Sequence, residues 1–299
     1  MSWQLVLLNR YLRWIEKPAL ARHAPERLRR SFETNAKIYF HGPRGAVFRR
    51  DRLSNVPVQW AVARQAHRPE TILYLHGGGY VFGSSDTHRA MAATLSDLSG
   101  MAVCLPDYRL APEHPFPAQI EDALAVYRAI SASGEVVLGG DSAGGGLALA
   151  LLHEVRRHGL RPPLGCFAFS PIVDMTFSSP SVQENAESDN VLVADRIDEM
   201  LGMYLREKEP EDPRASPLFG AFSGSPAVWL TAGDTELLRD DAVRMGEILD
   251  RQGVDVCVTI KPDHPHVWPL FHNVLPEGKA TLREVAQWIR SLSPPAAGS

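Results

Sequence analysis

The stretch EVVLGGDSAGGGLALALLHEVRRHG, residues 135–159, decides the fold of this 299-residue chain. Its first residues are apolar and β-rich, as in a buried strand, and its second half has the apolar spacing of a helix that Gly159 ends. Between them, Gly140-Asp141-Ser142-Ala143-Gly144 fits the pattern GxSxG. A sharp strand-to-helix turn exposes such a serine, and the helix that follows directs free N–H groups toward it. The stretch therefore predicts that Ser142 is a nucleophile.

The main alternative for a glycine-rich turn of this kind is a loop that cradles a phosphate. Because glycine is common, GxSxG alone is a weak signal, and its position between a strand and a helix is what gives it weight. A phosphate loop would carry GxxxxGK[ST], and the chain contains no such motif. The nucleophile is therefore the favoured interpretation.

Short apolar segments, rich in β-branched and aromatic residues, alternate with amphipathic helices along most of the chain. They are VPVQWAVA (56–63), TILYL (71–75), MAVCLP (101–106), EVVLGG (135–140), LGCFAFS (164–170), PAVWLTA (226–232) and VDVCVTI (254–260). This alternation predicts an α/β fold with a mostly parallel sheet, covered by helices on both faces. The region before the first of these segments, up to about Arg52, is polar and arginine-rich and is not predicted to form a strand.

Two segments break the alternation. Residues 1–45 are predicted to be helical without strands, and residues 173–215 are polar, with one helical stretch from Asp195 to Glu207. Neither would bury a core of its own, but both could cover the carboxyl ends of the strands, where ligands bind in open α/β sheets. We therefore predict a catalytic domain of residues 46–172 and 216–299, with the two segments as a cap.

A second glycine-rich stretch, HGGG at residues 76–79, follows the strand TILYL. Cleavage of an ester or amide passes through an oxyanion that preorganised N–H groups must stabilise. Glycines leave such groups free of side chains, and HGGG is the loop that accompanies GxSxG in lipases and esterases. The backbone N–H groups of Gly77, Gly78 and Ala143 are the predicted donors. A plain flexible turn is the alternative, but it does not explain the position directly after a buried strand.

A serine hydroxyl becomes a good nucleophile only beside a base, which an acid must orient. Around a GxSxG turn, the chain order is serine, acid, histidine. Three histidines follow the last predicted strand, in PDHPHVWPLFH: His264, His266 and His272. Pro265 restricts the backbone of His264, so His266 is the favoured base and His264 the alternative. The acid belongs to LTAGDTELLRDD, residues 230–241, which has several carboxylates.

Together these motifs resemble those of the hormone-sensitive-lipase-like family of α/β-hydrolases, the bacterial family IV esterases. The stretches that carry the likeness are HGGGY (76–80), DYRLAPEHPFPA (107–118), GDSAGGG (140–146), SPIVD (170–174) and HVW (266–268). The resemblance implies an α/β-hydrolase fold with a central sheet of about eight strands and a helical cap. It also implies that a homodimer could form, since members often pair through the last strand.

The resemblance also suggests which carboxylate is the acid. Most members have a pattern like DPLRD, and aligning its LRD with Leu238-Arg239-Asp240 places Glu236 at the acid position. A subset of the family uses Glu there, whereas most members use Asp, so Asp234 is the alternative. Asp240 and Asp241 are expected to lie at a helix start, where the helix dipole favours negative charge. The remaining polar residues of these motifs are expected to hold their loops in place: Asp107, Arg109, Glu113, His114 and Asp141.

The composition excludes several other classes of protein. The net charge is −4 and no basic cluster stands out, so nucleic-acid binding is not expected. Cys104, Cys166 and Cys257 lie in apolar runs without CxxC spacing, which predicts buried thiols rather than disulfides or a zinc site. The histidines have no metal-ligand spacing. We expect no metal and no cofactor.

The N-terminal stretch MSWQLVLLNRYLRWIEK has too short an apolar run for a secretory signal, and the sequence contains no run long enough to cross a membrane. Its apolar residues recur at helical spacing, at Trp3, Leu7, Tyr11, Trp14 and Ile15. The spacing predicts an amphipathic helix that packs on the body through these side chains. Loose membrane attachment through the same helix is the alternative, without stable insertion. The chain is expected to be cytoplasmic.

The expected function is that of a serine carboxylesterase acting on small-molecule esters, and the family resemblance implies short to medium acyl chains. Ser142, Glu236 and His266 would form its catalytic triad, and Tyr80 and Phe82 would form part of the substrate pocket wall. A lactone or amide hydrolase with the same triad is an alternative. A ligand-binding receptor of this fold is a further alternative, which His266 disfavours because the plant gibberellin receptors have lost that histidine.

Overall fold

A computed structural model describes residues 1–292 of the chain. In this part of the chain, one sheet of eight strands has the order β1-β2-β4-β3-β5-β6-β7-β8. The strands are β1 (Val47–Leu53), β2 (Val56–Val62), β3 (Thr71–Leu75), β4 (Ala102–Pro106), β5 (Val136–Asp141), β6 (Gly165–Phe169), β7 (Val228–Gly233) and β8 (Val256–Lys261). β2 pairs antiparallel with β1 and with β4, and all other pairs are parallel. The predicted mostly parallel α/β sheet is confirmed.

Helices connect the strands and cover both faces of the sheet. They are α1 (Trp3–Tyr11), α2 (Lys17–Arg22), α3 (Pro25–Tyr39), α4 (Ser85–Ser99), α5 (Ala118–Ser131), α6 (Ala143–Arg157), α7 (Ser181–Glu184), α8 (Ile197–Tyr204), α9 (Arg239–Arg251) and α10 (Pro276–Ser291). A π-helical turn, Leu12–Glu16, joins α1 to α2, and 3₁₀ turns form Ala194–Arg196, Pro217–Phe219 and Trp268–Phe271. The helix predicted over Asp195–Glu207 is therefore shorter and begins as a 3₁₀ turn.

The core has two parts, one on each face of the sheet. Alternate residues of β3 enter different parts: Leu73 and Leu75 belong to one cluster of buried side chains, and Ile72 and Tyr74 to the other. This division follows from the twofold side-chain alternation of a strand. Burial on both faces explains why the central strands read as continuous apolar runs.

Strand β1 was not predicted, because its sequence VFRRDRL looks like a charged loop. It lies at the sheet edge with most of its side chains exposed, so it needs no apolar pattern. A two-residue hairpin joins it to β2, and Ser54 and Asn55 have positive φ values of 49° and 69°. Two consecutive positive φ values are typical of the tight turns that suit twisted hairpins. The dipeptide Ser-Asn before a clear strand was the available signal.

At the opposite edge, the prediction that all three cysteines are buried is wrong for one of them. Cys104 and Cys166 are buried, whereas Cys257 is exposed. Cys257 lies on β8, which is the last strand of the sheet and is only partly covered. The apolar run VDVCVTI therefore marks an edge strand and not a fully buried one.

The two segments that break the strand–helix alternation contact each other. The Lys17 ammonium donates to the backbone oxygens of Ala186 (3.0 Å) and Asp189 (2.7 Å). The Arg196 guanidinium donates to the backbone oxygen of His23 (2.8 Å). Residues 1–45 and 173–215 are thus linked by cations that bind carbonyl groups.

The orientation predicted for the N-terminal helix is wrong. Leu5 and Leu12 are buried, and Leu5 packs with Trp268 and Leu275 of the body. The residues predicted to pack inward, Trp3, Leu7, Tyr11, Trp14 and Ile15, are all exposed. Because this helix has apolar side chains on both faces, spacing alone could not identify the face that contacts the body. Among residues 1–292, no helix is long and apolar enough to span a membrane.

Candidate active site

Ser142 occupies the turn between β5 and α6. Its backbone has φ 54° and ψ −124°, a conformation that is strained for a residue with a side chain. The flanking glycines allow this turn, since a Cβ at Gly140 would lie 2.2 Å from the backbone oxygen of Gly144, and one at Gly144 would lie 2.1 Å from that of Leu75. The Ser142 N–H donates to the Phe169 oxygen at 2.8 Å, which ties the turn to β6. The turn and this hydrogen bond hold the Ser142 hydroxyl at the carboxyl ends of the strands.

The structure places His266 beside Ser142, although the two residues are far apart in the chain. His266 Nε2 lies 2.9 Å from Ser142 Oγ. Its other ring nitrogen, Nδ1, lies 2.7 Å from Glu236 Oε2. All three side chains are buried. One hydrogen-bonded chain therefore runs from the hydroxyl through the imidazole to the carboxylate.

Glu236 is held at both carboxylate oxygens. Oε2 faces His266, and Oε1 accepts the Ser170 hydroxyl (2.8 Å) and the Gly233 N–H (2.5 Å). Full pairing of this kind is what a buried carboxylate needs in order to stay in place. It leaves Glu236 with one oxygen committed to the histidine.

The alternative residues lie elsewhere. Asp234 accepts the Asp263 N–H at 2.7 Å and thereby links the loops that follow β7 and β8. His264 places its Nδ1 2.7 Å from the Pro262 oxygen and packs edge-on against Trp268. The structure therefore brings together Ser142, His266 and Glu236 and assigns loop contacts to the other two.

The surroundings of His266 favour its charged form. Burial opposes a charged imidazolium, but the Glu236 carboxylate and its hydrogen bond outweigh burial. The negative charges of Asp189 and Asp141 act in the same direction, and the pKa of His266 is raised above its ordinary 6.5. A base with a raised pKa takes up a proton more readily, provided that the pH keeps it neutral beforehand.

The glycine loop after β3 lines the same cavity as Ser142 and His266. Side chains do not fit here, because a Cβ at Gly77 would lie 2.2 Å from Asp141 Oδ2 and one at Gly78 would lie 2.2 Å from the Phe82 oxygen. Gly78 also has a φ of 119°. Within residues 1–292, the N–H groups of Gly77, Gly78 and Ala143 donate to no protein acceptor. They are free to bind an oxygen of a ligand.

Neutral and charged groups behind the loop fix its position. His76 stacks on Tyr108, with ring centroids 4.3 Å apart, and the Tyr108 hydroxyl donates to the His76 oxygen at 2.5 Å. Burial and the neighbouring His88 lower the pKa of His76 to about 3, so its imidazole is neutral. Asp141 accepts the Tyr74 hydroxyl at 2.8 Å and lies 3.3 Å from His88 Nε2. Burial would raise the pKa of Asp141, but His88 and these hydrogen bonds outweigh burial and lower it.

The polar residues of DYRLAPEHPFPA hold their loop to three helices. Asp107 accepts the N–H (2.7 Å) and hydroxyl (3.0 Å) of Ser85 at the start of α4. Arg109 forms an ion pair with Asp122 of α5 at 2.9 Å, and Glu113 pairs with Arg29 of α3 at 2.8 Å. His114 takes part through its backbone: its carbonyl oxygen accepts a hydrogen bond from the Gln119 side-chain amide of α5 at 2.7 Å.

A cavity of about 520 Å³ leads from Ser142 and His266 to the surface. Its walls are mostly apolar and come from the body and from both strandless segments; they include Leu28, Phe32, Phe82, Leu192, Met200 and Leu238. Phe82 lies in the cavity wall. The prediction for Tyr80 needs correction: it is not among the described lining residues, and it is buried with its ring stacked on Tyr204, 4.0 Å between centroids. We assign Tyr80 to packing.

Sequence reasoning missed the residues that hold the loop of Glu236. The Asn185 amide donates to the backbone oxygens of Glu236 (2.8 Å) and Asp234 (3.0 Å). Asp189 accepts the N–H of Leu237 at 2.8 Å through one carboxylate oxygen. Its other oxygen accepts the N–H groups of Val191 and Leu192, two residues of the cavity wall. The only signal in the sequence was the polar run ENAESDN, which lies in the strandless segment of residues 173–215.

Asp240 and Asp241 lie in the first turn of α9, as predicted, but they also anchor the segment that follows β6. Asp241 accepts the Val173 N–H at 2.9 Å and the Ser179 hydroxyl at 2.7 Å. Asp240 accepts the Ser181 N–H at 2.9 Å. Burial raises the pKa of Asp241 to about 6, against the opposing effect of these donors. Among residues 1–292, no cluster of His, Cys, Asp and Glu is arranged to hold a metal ion.

Comparison with known proteins agrees with this geometry. A family model described as the α/β-hydrolase fold matches residues 72–270. This chain belongs to the α/β-hydrolases. An esterase of Acinetobacter venetianus is 31% identical over 283 residues, 93% of each chain. An acetyl-hydrolase of Streptomyces hygroscopicus is 37% identical over 233 residues, 77% of each chain.

A solved structure shows which group of α/β-hydrolases this chain resembles. The structure is an esterase of the bacterial hormone-sensitive lipase family, with a TM-score of 0.93 and 36% identity. The match covers 98% of this chain and 99% of that one. The likeness therefore extends over both strandless segments. The protein is a carboxylic ester hydrolase of the hormone-sensitive-lipase-like group.

Proposed function

We propose that this esterase hydrolyses esters of short to medium acyl chain through Ser142, His266 and Glu236. The observation that carries the proposal is the unbroken hydrogen-bonded chain from Ser142 Oγ through both nitrogens of His266 to Glu236 Oε2. Each member contacts the next at 2.9 Å or less, and all are buried. This geometry is what base-assisted attack by a serine requires.

In the first step, Ser142 Oγ attacks the ester carbonyl carbon while His266 Nε2 takes the hydroxyl proton. Glu236 accepts from Nδ1, which keeps the proton on that nitrogen and leaves Nε2 free to act as the base. The same carboxylate stabilises the imidazolium that forms. The raised pKa of His266 supports this role.

The carbonyl oxygen becomes an oxyanion during the attack, and we assign its stabilisation to the N–H groups of Gly77, Gly78 and Ala143. Gly77 and Gly78 line the cavity, and within residues 1–292 none of the three N–H groups has a protein acceptor, which supports the assignment. Ala143 is the first residue of α6, so the positive end of the helix dipole also faces the oxyanion. Removal of one such donor costs ~2.7–4 kcal/mol in the transition state.

The imidazolium then gives its proton to the alkoxide leaving group, and the alcohol departs. Water, deprotonated by His266, attacks the acyl-enzyme, and the collapse of the second tetrahedral intermediate releases the acid and restores Ser142. Substrate, water and the three side chains supply every proton and electron pair in this scheme. It therefore requires neither a metal nor an organic cofactor.

The cavity supports the proposed range of acyl chains. Its volume of about 520 Å³ and its wall of leucine, phenylalanine and methionine side chains suit an apolar chain longer than acetyl. Both strandless segments contribute to this wall, which limits the length of the chain that fits. The acetyl-hydrolase named above is consistent with the short end of the range.

The test is hydrolysis of p-nitrophenyl esters from acetate to palmitate, with wild type and Ser142→Ala measured side by side. We expect kcat/KM to peak at short or medium chains and to fall by about 10⁵-fold or more in the variant. The Ser225→Ala variant is a control, since that residue lies outside the cavity. Equal activity in wild type and Ser142→Ala would reject the mechanism, and a peak at palmitate would reject the substrate range.

A further inference from the structure

The N-terminal segment, residues 1–45, presents an apolar surface to solvent. Most of the large apolar side chains that are exposed among residues 1–292 belong to residues 1–39. Trp3 is 69% exposed, Trp14 73%, Leu7 52% and Ile15 57%. Isolated exposed apolar residues are ordinary, but a contiguous group rich in tryptophan marks an interaction site.

This apolar surface is one face of the helical stretch Trp3–Arg22. The other face carries Leu5 and Leu12, which are buried against the body. The helix is therefore already anchored, and its exposed tryptophans do not contribute to that anchoring. A helix that needed only to pack on the body would carry polar side chains on its outer face.

The charge of the segment indicates what kind of partner fits. Residues 1–45 contain nine Lys and Arg and three Asp and Glu, a net charge of +6, whereas the whole chain has −4. The expectation that the sequence has no basic cluster is therefore wrong for this segment. Arg10, Arg13 and Arg22, on the same helical stretch as the tryptophans, are exposed. Tryptophan beside arginine is the composition of helices that lie in the interface of a membrane with anionic lipids.

A second copy of the chain fits this surface less well. A symmetric dimer through residues 1–45 would bring two segments of charge +6 against each other, and like charges in contact disfavour association. An anionic lipid surface supplies the opposite charge and accepts the tryptophan side chains at the level of its headgroups.

The apolar surface is continuous with the mouth of the active-site cavity. Tyr11, Tyr39 and Val274 are exposed, and each of them also lines the cavity that reaches Ser142. Leu8, which is half-buried, lies in the same wall. A surface bound by the tryptophans would therefore face the cavity entrance.

We propose that residues 1–45 dock the enzyme on an anionic lipid surface, with the cavity mouth toward the lipid. Trp3, Leu7, Trp14 and Ile15 enter the interface, and the arginines bind lipid phosphates. Apolar esters dissolved in the lipid then reach Ser142 without crossing water. The docking itself does not depend on the proposed catalytic function, so binding and hydrolysis can fail independently.

The experiment is flotation of the full-length protein with vesicles of phosphatidylcholine alone or with about a third of phosphatidylglycerol. We expect the protein to float with the anionic vesicles and to be released as salt is raised. The double variant Trp3→Ser/Trp14→Ser should bind the anionic vesicles at least about tenfold more weakly. Hydrolysis of soluble p-nitrophenyl acetate by this variant should be unchanged, since neither residue lines the cavity.

The matched control is Phe48→Ser/Phe219→Ser, which removes two exposed aromatic side chains outside residues 1–45. This variant should bind vesicles as the wild type does. The proposal is overturned if the wild type stays out of the lipid fraction with both vesicle types, or if the tryptophan variant floats as well as the wild type. It is also overturned if light scattering shows a dimer that only the tryptophan variant disrupts.

Discussion

The site around Ser142 and the N-terminal segment differ in which side chains they bury: the site buries polar groups, and the segment exposes apolar ones. At the site, polar side chains are buried and each has a specific partner, as with both oxygens of Glu236. In residues 1–45, apolar side chains are exposed, with Trp14 at 73%. A buried polar group is costly unless it is paired, so the site tolerates few arrangements. The exposed apolar side chains of the N-terminal segment need no specific partner within the described chain, so many arrangements of them are tolerated.

This difference explains why sequence reasoning selected side chains that the structure places in contact at the site, but chose the wrong face of the N-terminal helix. The motifs at the site specify backbone shape as well as chemistry: a side chain at Gly77 or Gly144 would collide with its neighbours. The N-terminal helix has apolar residues on both faces, and spacing alone cannot decide which face is buried. Leu5 and Leu12 proved to be the inner residues.

The largest expected effect distinguishes the two candidate acids. Glu236→Gln should lower kcat by about 10⁴-fold, because the amide cannot stabilise the imidazolium and favours the wrong tautomer of His266. Asp234→Asn, the matched control two residues away, should keep most of the activity, since the Asp234 carboxylate accepts only the Asp263 N–H among the described residues. Steady-state kinetics with p-nitrophenyl butyrate measures both. The reverse pattern would make Asp234 the acid.

A smaller effect is expected for Asp189, a residue of the strandless segment 173–215 that binds the loop of Glu236. Asp189→Asn should lower kcat by roughly tenfold to a hundredfold, because the Leu237 N–H loses its ionised acceptor and Glu236 shifts. The acid limb of the pH profile should also move to lower pH, since the Asp189 charge helps to raise the pKa of His266. Asp198→Asn, an exposed carboxylate of the same segment, should change neither quantity. A loss of kcat with an unmoved acid limb would assign Asp189 a purely structural role.

The pH dependence of the wild type tests the electrostatics of the site. His266 must be neutral to accept the Ser142 proton, and its pKa is raised above 6.5. Activity should therefore be full at higher pH and should fall as the pH drops through a value above 6.5. The measurement is kcat/KM from about pH 5 to 9, which reports the free enzyme. An acid limb at or below 6.5 would contradict the raised pKa.

The smallest effect concerns the cavity wall. Phe82→Leu should shift the preferred acyl length with at most about a tenfold change in kcat/KM, because Phe82 lines the cavity. Tyr80→Phe should leave the profile unchanged, since Tyr80 packs behind the wall against Tyr204. Both are measured with the same ester series. A shift in Tyr80→Phe alone would return Tyr80 to the substrate pocket.

Much of the fold and the central side chains of the site could be predicted from the sequence. Seven of the eight strands in the described chain have apolar or alternating sequences and were identified; β1 was missed because an exposed edge strand needs no such pattern. Ser142 and His266 follow from motif, order and position. Glu236 depended on resemblance, because several carboxylates share its stretch. Asn185 and Asp189 were not predictable, since only the folded chain brings their polar run against the loop of Glu236.

The most direct test of the account is labelling with a fluorophosphonate followed by peptide mass spectrometry. This reagent forms a stable adduct with a serine whose hydroxyl a neighbouring base activates. We predict one adduct per chain, located on Ser142, with no labelling in Ser142→Ala and much slower labelling in Glu236→Gln. An adduct on another residue, or undiminished hydrolysis by a fully labelled enzyme, would contradict the central claim that Ser142, His266 and Glu236 act together.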